Sequence, residues 1–172
     1  MNIYMTTGTF DYLRTILQKY EHETMILMEN EESALLLHET EKKSVFQSPR
    51  SYEVIDSSGL LDKKSGFFVM NHIPVTDEGR PVFEYRFKNR SGNLEKMPGY
   101  KAFRLLRPLK SDTYIVLTCW KDEQSFQNWK KSQAFKKAHS KQETEKEPKS
   151  KITIFPRPSY VKTYLIPKEE QS

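Results

Sequence analysis

The sequence predicts an α+β fold in which two ferredoxin-like units follow one another in a single chain. The second half has the order β-α-β-β-α-β, which is that of the split βαβ unit. The first half contains an abbreviated version of the same order. Two such units in 172 residues indicate antiparallel sheets that pack against each other, so that the tandem forms an intramolecular pseudo-dimer.

The first half, residues 1–65, supplies the abbreviated unit. Its predicted elements are a strand (1–9), a helix (11–20), strands (24–30, 34–40 and 44–47) and a short helix (52–56). The first helix follows from apolar residues at the i, i+3, i+4 and i+7 positions of 13–20. Ser48 before Pro49 predicts the short helix, because serine caps free N–H groups and proline fits the first turn.

The second half, residues 66–172, supplies the complete unit. Its predicted elements are a strand (67–75), a helix (81–90), strands (100–109 and 113–120), two short helices (123–131 and 132–139) and closing strands (152–156 and 159–166). Asp122 is the expected cap of the helix that carries Trp129, and Ser132 is expected to interrupt that helix. The charged segment 141–151 is predicted to be a mobile loop.

Composition excludes several classes of protein. No run of eighteen apolar residues exists, and the N-terminus lacks the basic and apolar regions of a secretory signal, so no membrane association and a cytoplasmic location are expected. Cys119 is the single cysteine, which excludes an internal disulfide and is typical of a buried, inert thiol. The net charge is +5, and no nucleic-acid motif accompanies the clustered lysines, so a solvated helix face or a small anionic ligand is expected in place of nucleic acid.

Common cofactor and catalytic motifs are absent from the sequence. It contains no G-x-G-x-x-G, no phosphate-binding loop, no H-E-x-x-H, no C-x-x-C and no G-x-S-x-G. Nicotinamide or flavin binding therefore has no support in the sequence. If the chain performs redox chemistry, its electrons come from an external reductant.

Three residues of the second half form a pattern that does point to chemistry. They are Asn71 in FFVMNHIPVT, Trp129 in FQNWKKSQAF and His139 in FKKAHSK. The stretch NWKKSQAFKKAH, together with the spacing back to Asn71, resembles the IsdG-type haem-degrading monooxygenases of the antibiotic-biosynthesis-monooxygenase superfamily. The resemblance covers residues 66–141 and the final strand.

The resemblance implies a site and a reaction. His139 would ligate the haem iron, Asn71 would offer its amide N–H to dioxygen, and Trp129 would press on the porphyrin and distort it. Arg86 would lie near the haem propionates and Phe87 would form a pocket wall. Haem would be both cofactor and substrate, cleaved with O2 and electrons from a reductase. The first half has no such set, so we expect one site in a monomer that mimics the family's dimer.

Other interpretations of the same residues remain open. A histidine at a helix end is commonly a surface residue, Trp129 alone is commonly a core residue, and Asn71 alone commonly bonds backbone. His72 is expected to face outward if its strand alternates, and Trp120 is expected in the core. The alternative functions are a haem carrier without turnover, a signalling or stress protein, and a metal-independent oxygenase of aromatic substrates.

Overall fold

The computed structural model of the chain describes residues 1–88, 94–132 and 153–167. The first half contains β1 (Asn2–Gly8), α1 (Phe10–Lys19), β2 (Thr24–Glu29), β3 (Ala34–Thr40) and β4 (Arg50–Gly59). The second contains β5 (Phe67–Pro74), α2 (Arg80–Lys88), a single 3₁₀ turn (Leu94–Lys96), β6 (Tyr100–Pro108), β7 (Thr113–Trp120), α3 (Glu123–Lys130) and β8 (Tyr160–Leu165).

The two halves have the same strand order and close on each other. The order is β4-β1-β3-β2 in the first half and β8-β5-β7-β6 in the second, and every neighbouring pair is antiparallel. The fourth strand of each half meets the second strand of the other, which closes an eight-stranded barrel. The predicted α+β tandem with packed antiparallel sheets is therefore confirmed.

Alternation along the strands divides the apolar residues between the barrel interior and its outer faces. Interior residues come from both halves, for example Ile3, Leu37, Met70 and Leu117, and pack as one cluster. Successive strand residues point to opposite faces, so each strand contributes to two cores. Cys119 belongs to the interior, where burial raises the pKa of its thiol to about 11.

A buried ion pair joins the halves inside the barrel. Arg104 of β6 donates through Nε to Oε2 of Glu39 on β3, at 2.7 Å, and both side chains are nearly inaccessible to water. The Nη1 atom of Arg104 also donates to the carbonyl oxygen of Ser58 at 2.9 Å. A buried charge is tolerated only when it is paired and hydrogen-bonded, and both conditions are met here.

The two seams between the halves differ in length. Strand β4 pairs with β6 from Tyr52 to Gly59, with one irregularity after Val54. Strand β2 pairs with β8 only at Glu29 and Leu165, where Asn30 adds a side-chain bond to the carbonyl oxygen of Thr163 at 3.1 Å. The pseudo-symmetry of the strand order therefore does not extend to the seams.

Two predicted elements of the first half are wrong. Residues 52–56 are part of strand β4, because pairing with both β1 and β6 outweighs the local Ser48-Pro49 helix signal. The predicted strand 44–47 is irregular chain, and Phe46 packs instead into the outer core of the first half. Tertiary packing overrides local propensity in both cases.

The end of the chain differs from prediction as well. Residues 153–156 of the predicted strand 152–156 are not in a strand; Ile154 packs into the outer core of the second half and Phe155 lies edge-on to Phe83. The predicted helix 132–139 falls almost entirely outside the described residues, and the predicted loop 141–151 does so completely.

Candidate functional site

Asn71 lies on the outer face of β5. Its strand neighbours Val69 and Ile73 pack into the outer core of the second half, whereas Met70 belongs to the barrel interior. Asn71 pairs with Val116 of β7 on one side and Val161 of β8 on the other. The side chain therefore faces the layer between the sheet and the helices of the second half.

The amide of Asn71 carries a buried atom without a partner. Its Oδ1 atom is inaccessible to water and accepts no hydrogen bond within the described part of the chain. Burying a polar group without a bond costs about 1–3 kcal/mol, so such groups are few in native proteins. A 180° rotation of the amide exchanges oxygen and nitrogen, so the same position can present an acceptor or an N–H donor.

Trp129 is held in the same layer by α3. Asp122 caps that helix by accepting a hydrogen bond from the backbone N–H of Ser125 at 2.8 Å, as predicted. Trp129 is half-buried and its ring lies 5.6 Å from that of Trp120 and 6.2 Å from that of Phe126, centroid to centroid. Trp120 is fully buried, which confirms its predicted core position.

The outer face of β8 carries an exposed strip next to β5, in which Val161 lies opposite Asn71 and Leu165 lies opposite Phe67, with Thr163 between them. Val161 is 56% exposed and Leu165 is 53% exposed, although both lie on the outer face of a paired strand. They alternate with Tyr164, which is buried in the barrel interior. Sequence analysis did not single out these two residues, but the alternation of 160–165 was the signal that contained them.

Helix α2 places the two remaining predicted residues at different depths. Phe87 is buried and stacks on Phe103 with ring centroids 5.7 Å apart, so it forms part of the outer core of the second half. Arg86 precedes it on the exposed side of the helix. The structure thus places Phe87 in the same layer as Asn71 and Trp129 and leaves Arg86 at its surface.

A cleft of about 80 Å³ adjoins this layer at the β4–β6 seam. Phe87 and Phe103 form its apolar side, and Asp56 and Ser58 of β4 form part of its polar side. The first half therefore contributes a wall to the region in which the predicted site residues lie.

His72 takes a different place from the one predicted. It points into the barrel, is 3% exposed, and stacks on Tyr160 with ring centroids 4.5 Å apart. Its Nδ1 atom donates to the carbonyl oxygen of Met70 at 3.2 Å. Burial and, to a lesser extent, the nearby charge of Arg50 lower the pKa of His72 to about 4, so the imidazole is neutral at neutral pH.

The predicted iron ligand, His139, lies outside the described residues. Residues 1–88, 94–132 and 153–167 contain no group of three histidine, cysteine or carboxylate side chains that could hold a metal ion. The same ranges contain no helix that is both long and apolar enough to cross a membrane.

The described residues fit a haem on chemical grounds. A porphyrin is a large, flat and mostly apolar ring, and the open strip of Val161 and Leu165 provides an apolar surface next to Asn71. The unpartnered amide atom of Asn71 supplies a polar group at the same face. The half-buried indole of Trp129 supplies an aromatic contact on the helix side of that layer.

Comparison with known proteins gives a consistent family. The family model described as antibiotic biosynthesis monooxygenase matches residues 66–141. The protein named "Heme-degrading monooxygenase" of Listeria monocytogenes is 30% identical over 130 residues, which are 76% of this chain and 77% of the relative.

A second group of relatives has a different name. The "Signal transduction protein TRAP" of Staphylococcus aureus is 30% identical over 140 residues, covering 81% of this chain and 83% of the relative. A solved structure described as a major regulator of staphylococcal pathogenesis superposes with a TM-score of 0.82 at 25% identity, covering 97% of this chain and 99% of that one.

Proposed function

Because the chain belongs to the antibiotic biosynthesis monooxygenase family, we propose that it is a haem-degrading monooxygenase with one site, on the outer face of the second half. It binds haem, opens the porphyrin ring with O2 and external electrons, and releases iron. The observation that carries this proposal is the buried, unpartnered amide atom of Asn71 beside an open apolar strip. The name of the Listeria relative supplies the substrate class.

Haem supplies the dioxygen-activating iron and the ring that is cleaved. Asn71 would donate its amide N–H toward dioxygen and orient it, a role that suits a side chain whose Oδ1 atom is buried without a partner within the described chain and whose amide can be rotated by 180°. Trp129 covers the ring from the helix side and distorts it. The apolar strip of Val161 and Leu165 excludes water from the ring face.

The roles of the other predicted site residues are inferred from the resemblance of the sequence motif to that of the family. His139 is the proposed iron ligand, because a neutral imidazole would bind haem iron at neutral pH. Arg86, at the exposed side of α2, pairs with a propionate, and Phe87 is the pocket wall behind it. Residues 1–65 then form a supporting half and residues 66–172 the half that carries the site.

The same proposal covers the electron donor, the cellular location and the oligomeric state of the protein. The electron donor is a separate reductase, since the sequence has no nicotinamide or flavin motif. The protein acts in the cytoplasm as a monomer, because the tandem barrel already contains the two units that a dimer would bring together.

The test is a visible-absorption titration with haemin, followed by addition of ascorbate and an iron chelator. The wild type should show a shifted Soret band that decays while chelated iron accumulates. Asn71→Ala should keep the shift and lose the decay, whereas His139→Ala should lose both. Asn2→Ala, on an outward position of the corresponding strand β1, is the matched control and should behave as wild type.

The result would contradict the proposal if wild-type protein produced no Soret shift. A shift that persists with reductant would instead support a haem carrier. Identity of 30% over 81% of the chain with a TRAP protein favours a second candidate, a signalling function through protein contacts. That candidate predicts no haem binding and a partner interaction that is lost in His139→Ala.

A further inference from the structure

Three oxidisable aromatic side chains form a continuous row behind the proposed site. Trp129 faces the layer of the site, Trp120 lies behind it in the core, and Tyr100 lies behind Trp120. The ring centroids of Trp129 and Trp120 are 5.6 Å apart, and those of Trp120 and Tyr100 are 6.0 Å apart. Trp120 thus contacts the other two rings directly.

The outer end of the row is polar and close to solvent. The phenol of Tyr100 is hydrogen-bonded to the hydroxyl of Ser58, and its oxygen also lies 3.3 Å from the carbonyl oxygen of the same residue. Ser58 lines the cleft at the β4–β6 seam. Burial raises the pKa of Tyr100, so the phenol is protonated and able to lose a proton when it loses an electron.

We propose that Trp129, Trp120 and Tyr100 form a relay that carries oxidising equivalents from the site to the surface at Ser58. The proposal rests on the proposed function, because bound haem and dioxygen are the source of the oxidant. Rings in van der Waals contact permit electron exchange without any movement of the chain. A relay of this kind protects the pocket when the oxidant is formed without productive ring cleavage.

The relay transfers one electron to the oxidant at the haem and releases one proton to solvent. Trp129 gives one electron to the oxidant at the haem, and Trp120 returns one electron to Trp129. Tyr100 returns one electron to Trp120 and releases its phenolic proton through the Ser58 hydroxyl to water in the cleft. A one-electron reductant of the ascorbate class restores an electron and a proton to Tyr100. The reductant is oxidised and the oxidant at the haem is reduced by one electron.

Ordinary core packing explains part of this row but not its outer end. Trp120 is anchored by its indole N–H, which donates to the hydroxyl of Thr118 at 2.9 Å. A purely structural row would need no tyrosine hydroxyl bonded to a serine that lines a cleft. The chain has only two tryptophans, and both lie in this row.

The first experiment uses the haem-free protein, so it is independent of haem binding. Azidyl radicals generated by pulse radiolysis oxidise tryptophan, and the half-buried Trp129 is more accessible to them than the buried Trp120. The tryptophan radical should decay as a tyrosyl radical forms. Trp120→Phe and Tyr100→Phe should each lose that tyrosyl signal. Tyr52→Phe, in the barrel interior, is the matched control and should keep it.

Tyr100→Phe retains the ring and its packing, so it tests the relay even if Trp120→Phe does not fold. An unchanged yield of tyrosyl radical in Tyr100→Phe would overturn the proposal. Absence of haem binding in the wild type would overturn the proposed function without changing the outcome of this radical-transfer measurement.

The second experiment uses the haem complex treated with hydrogen peroxide and peptide mass spectrometry. In the Trp120→Phe variant, oxygenated Trp129 should accumulate, because an electron from Tyr100 can no longer reduce the Trp129 radical. The wild type should retain mostly intact Trp129. Equal oxygenation of Trp129 in the two proteins would overturn the protective role of the relay.

Discussion

The two halves of the barrel have the same strand order but differ in what covers their outer faces. In the first half, α1 and the irregular chain around Phe46 close the layer, and Leu13 of α1 and Leu36 of β3 are fully buried within it. In the second half, Oδ1 of Asn71 has no partner within the described residues and Val161 is exposed. The two outer faces therefore differ in how the described residues cover them, although the strand order beneath is the same.

A polar side chain in each outer layer illustrates this difference. His38 on β3 is 1% exposed, packs against Phe46 at 5.9 Å, and is bonded through Nε2 to Oε2 of Glu23 at 3.1 Å. The bond to His38 lowers the pKa of Glu23. The first half thus covers its polar group and bonds one ring nitrogen to a carboxylate, while Nδ1 of His38 has no partner within the described chain. In the second half, the side-chain oxygen of Asn71 has no partner within the described chain and lies beside the exposed Val161.

The largest expected effect comes from the ion pair that couples the halves. Glu39→Gln leaves Arg104 buried without a counter-charge, so the free energy of unfolding should fall by about 4 kcal/mol. Urea denaturation measures this change. The double variant Glu39→Leu, Arg104→Met should recover most of the loss, since it removes both charges. A small effect of Glu39→Gln would show that the halves are coupled mainly by strand pairing.

Opening the covered half should have the next largest effect. Phe46→Ala removes a buried aromatic ring from the outer layer of the first half and should lower the free energy of unfolding by about 3 kcal/mol. It should not create a second haem site, because His38, which packs against Phe46, is held by its bond from Nε2 to Glu23. Haemin titration should give the wild-type stoichiometry. Binding of a second equivalent of haemin would mean that the halves differ in haem binding only because the outer face of the first half is covered.

The pH dependence of the free energy of unfolding should reflect the titration of His72. Its pKa is lowered to about 4, below that of an unfolded histidine, so the unfolded chain binds the proton first as pH falls. The neutral, buried His72 therefore stabilises the folded state fully above about pH 6.5. This contribution to the free energy of unfolding should decline by about 2 kcal/mol between pH 7 and pH 5. Urea midpoints measured across this range test the decline.

His72→Phe should reduce that decline, because the variant has no imidazole to titrate and can retain a stack on Tyr160. His22→Gln, at an exposed histidine of the first half, is the matched control and should retain the wild-type slope. An unchanged slope in His72→Phe would assign the pH dependence to other groups.

The smallest effect on stability should accompany a specific effect on binding. Val161→Asp places a charge on an exposed position, so stability should change by no more than about 0.5 kcal/mol. Haemin affinity should fall about tenfold, equivalent to ~1.4 kcal/mol, because the carboxylate must be desolvated beneath an apolar ring. Leu60→Asp, at another exposed apolar residue, is the control. Equal affinities for the two variants would place the ligand away from β8.

The sequence by itself determined the fold class and most elements. Strong periodicity identified α1 and β2, and Asp122 was correctly predicted to cap α3. The family resemblance predicts Asn71 and Trp129 as site residues, and both lie on the outer side of the second half's sheet. Such features depend on residues close in sequence, so local patterns are sufficient to predict them.

Tertiary structure alone decided the direction in which several of these residues face. Residues 52–56 are a strand because β1 and β6 flank them, and His72 is buried because the two half-sheets close over it. Val161 and Leu165 became candidate site residues only when their outer face was found open. Burial depends on which distant segments pack over a surface, and the period of a single strand distinguishes its two faces without revealing which one is covered.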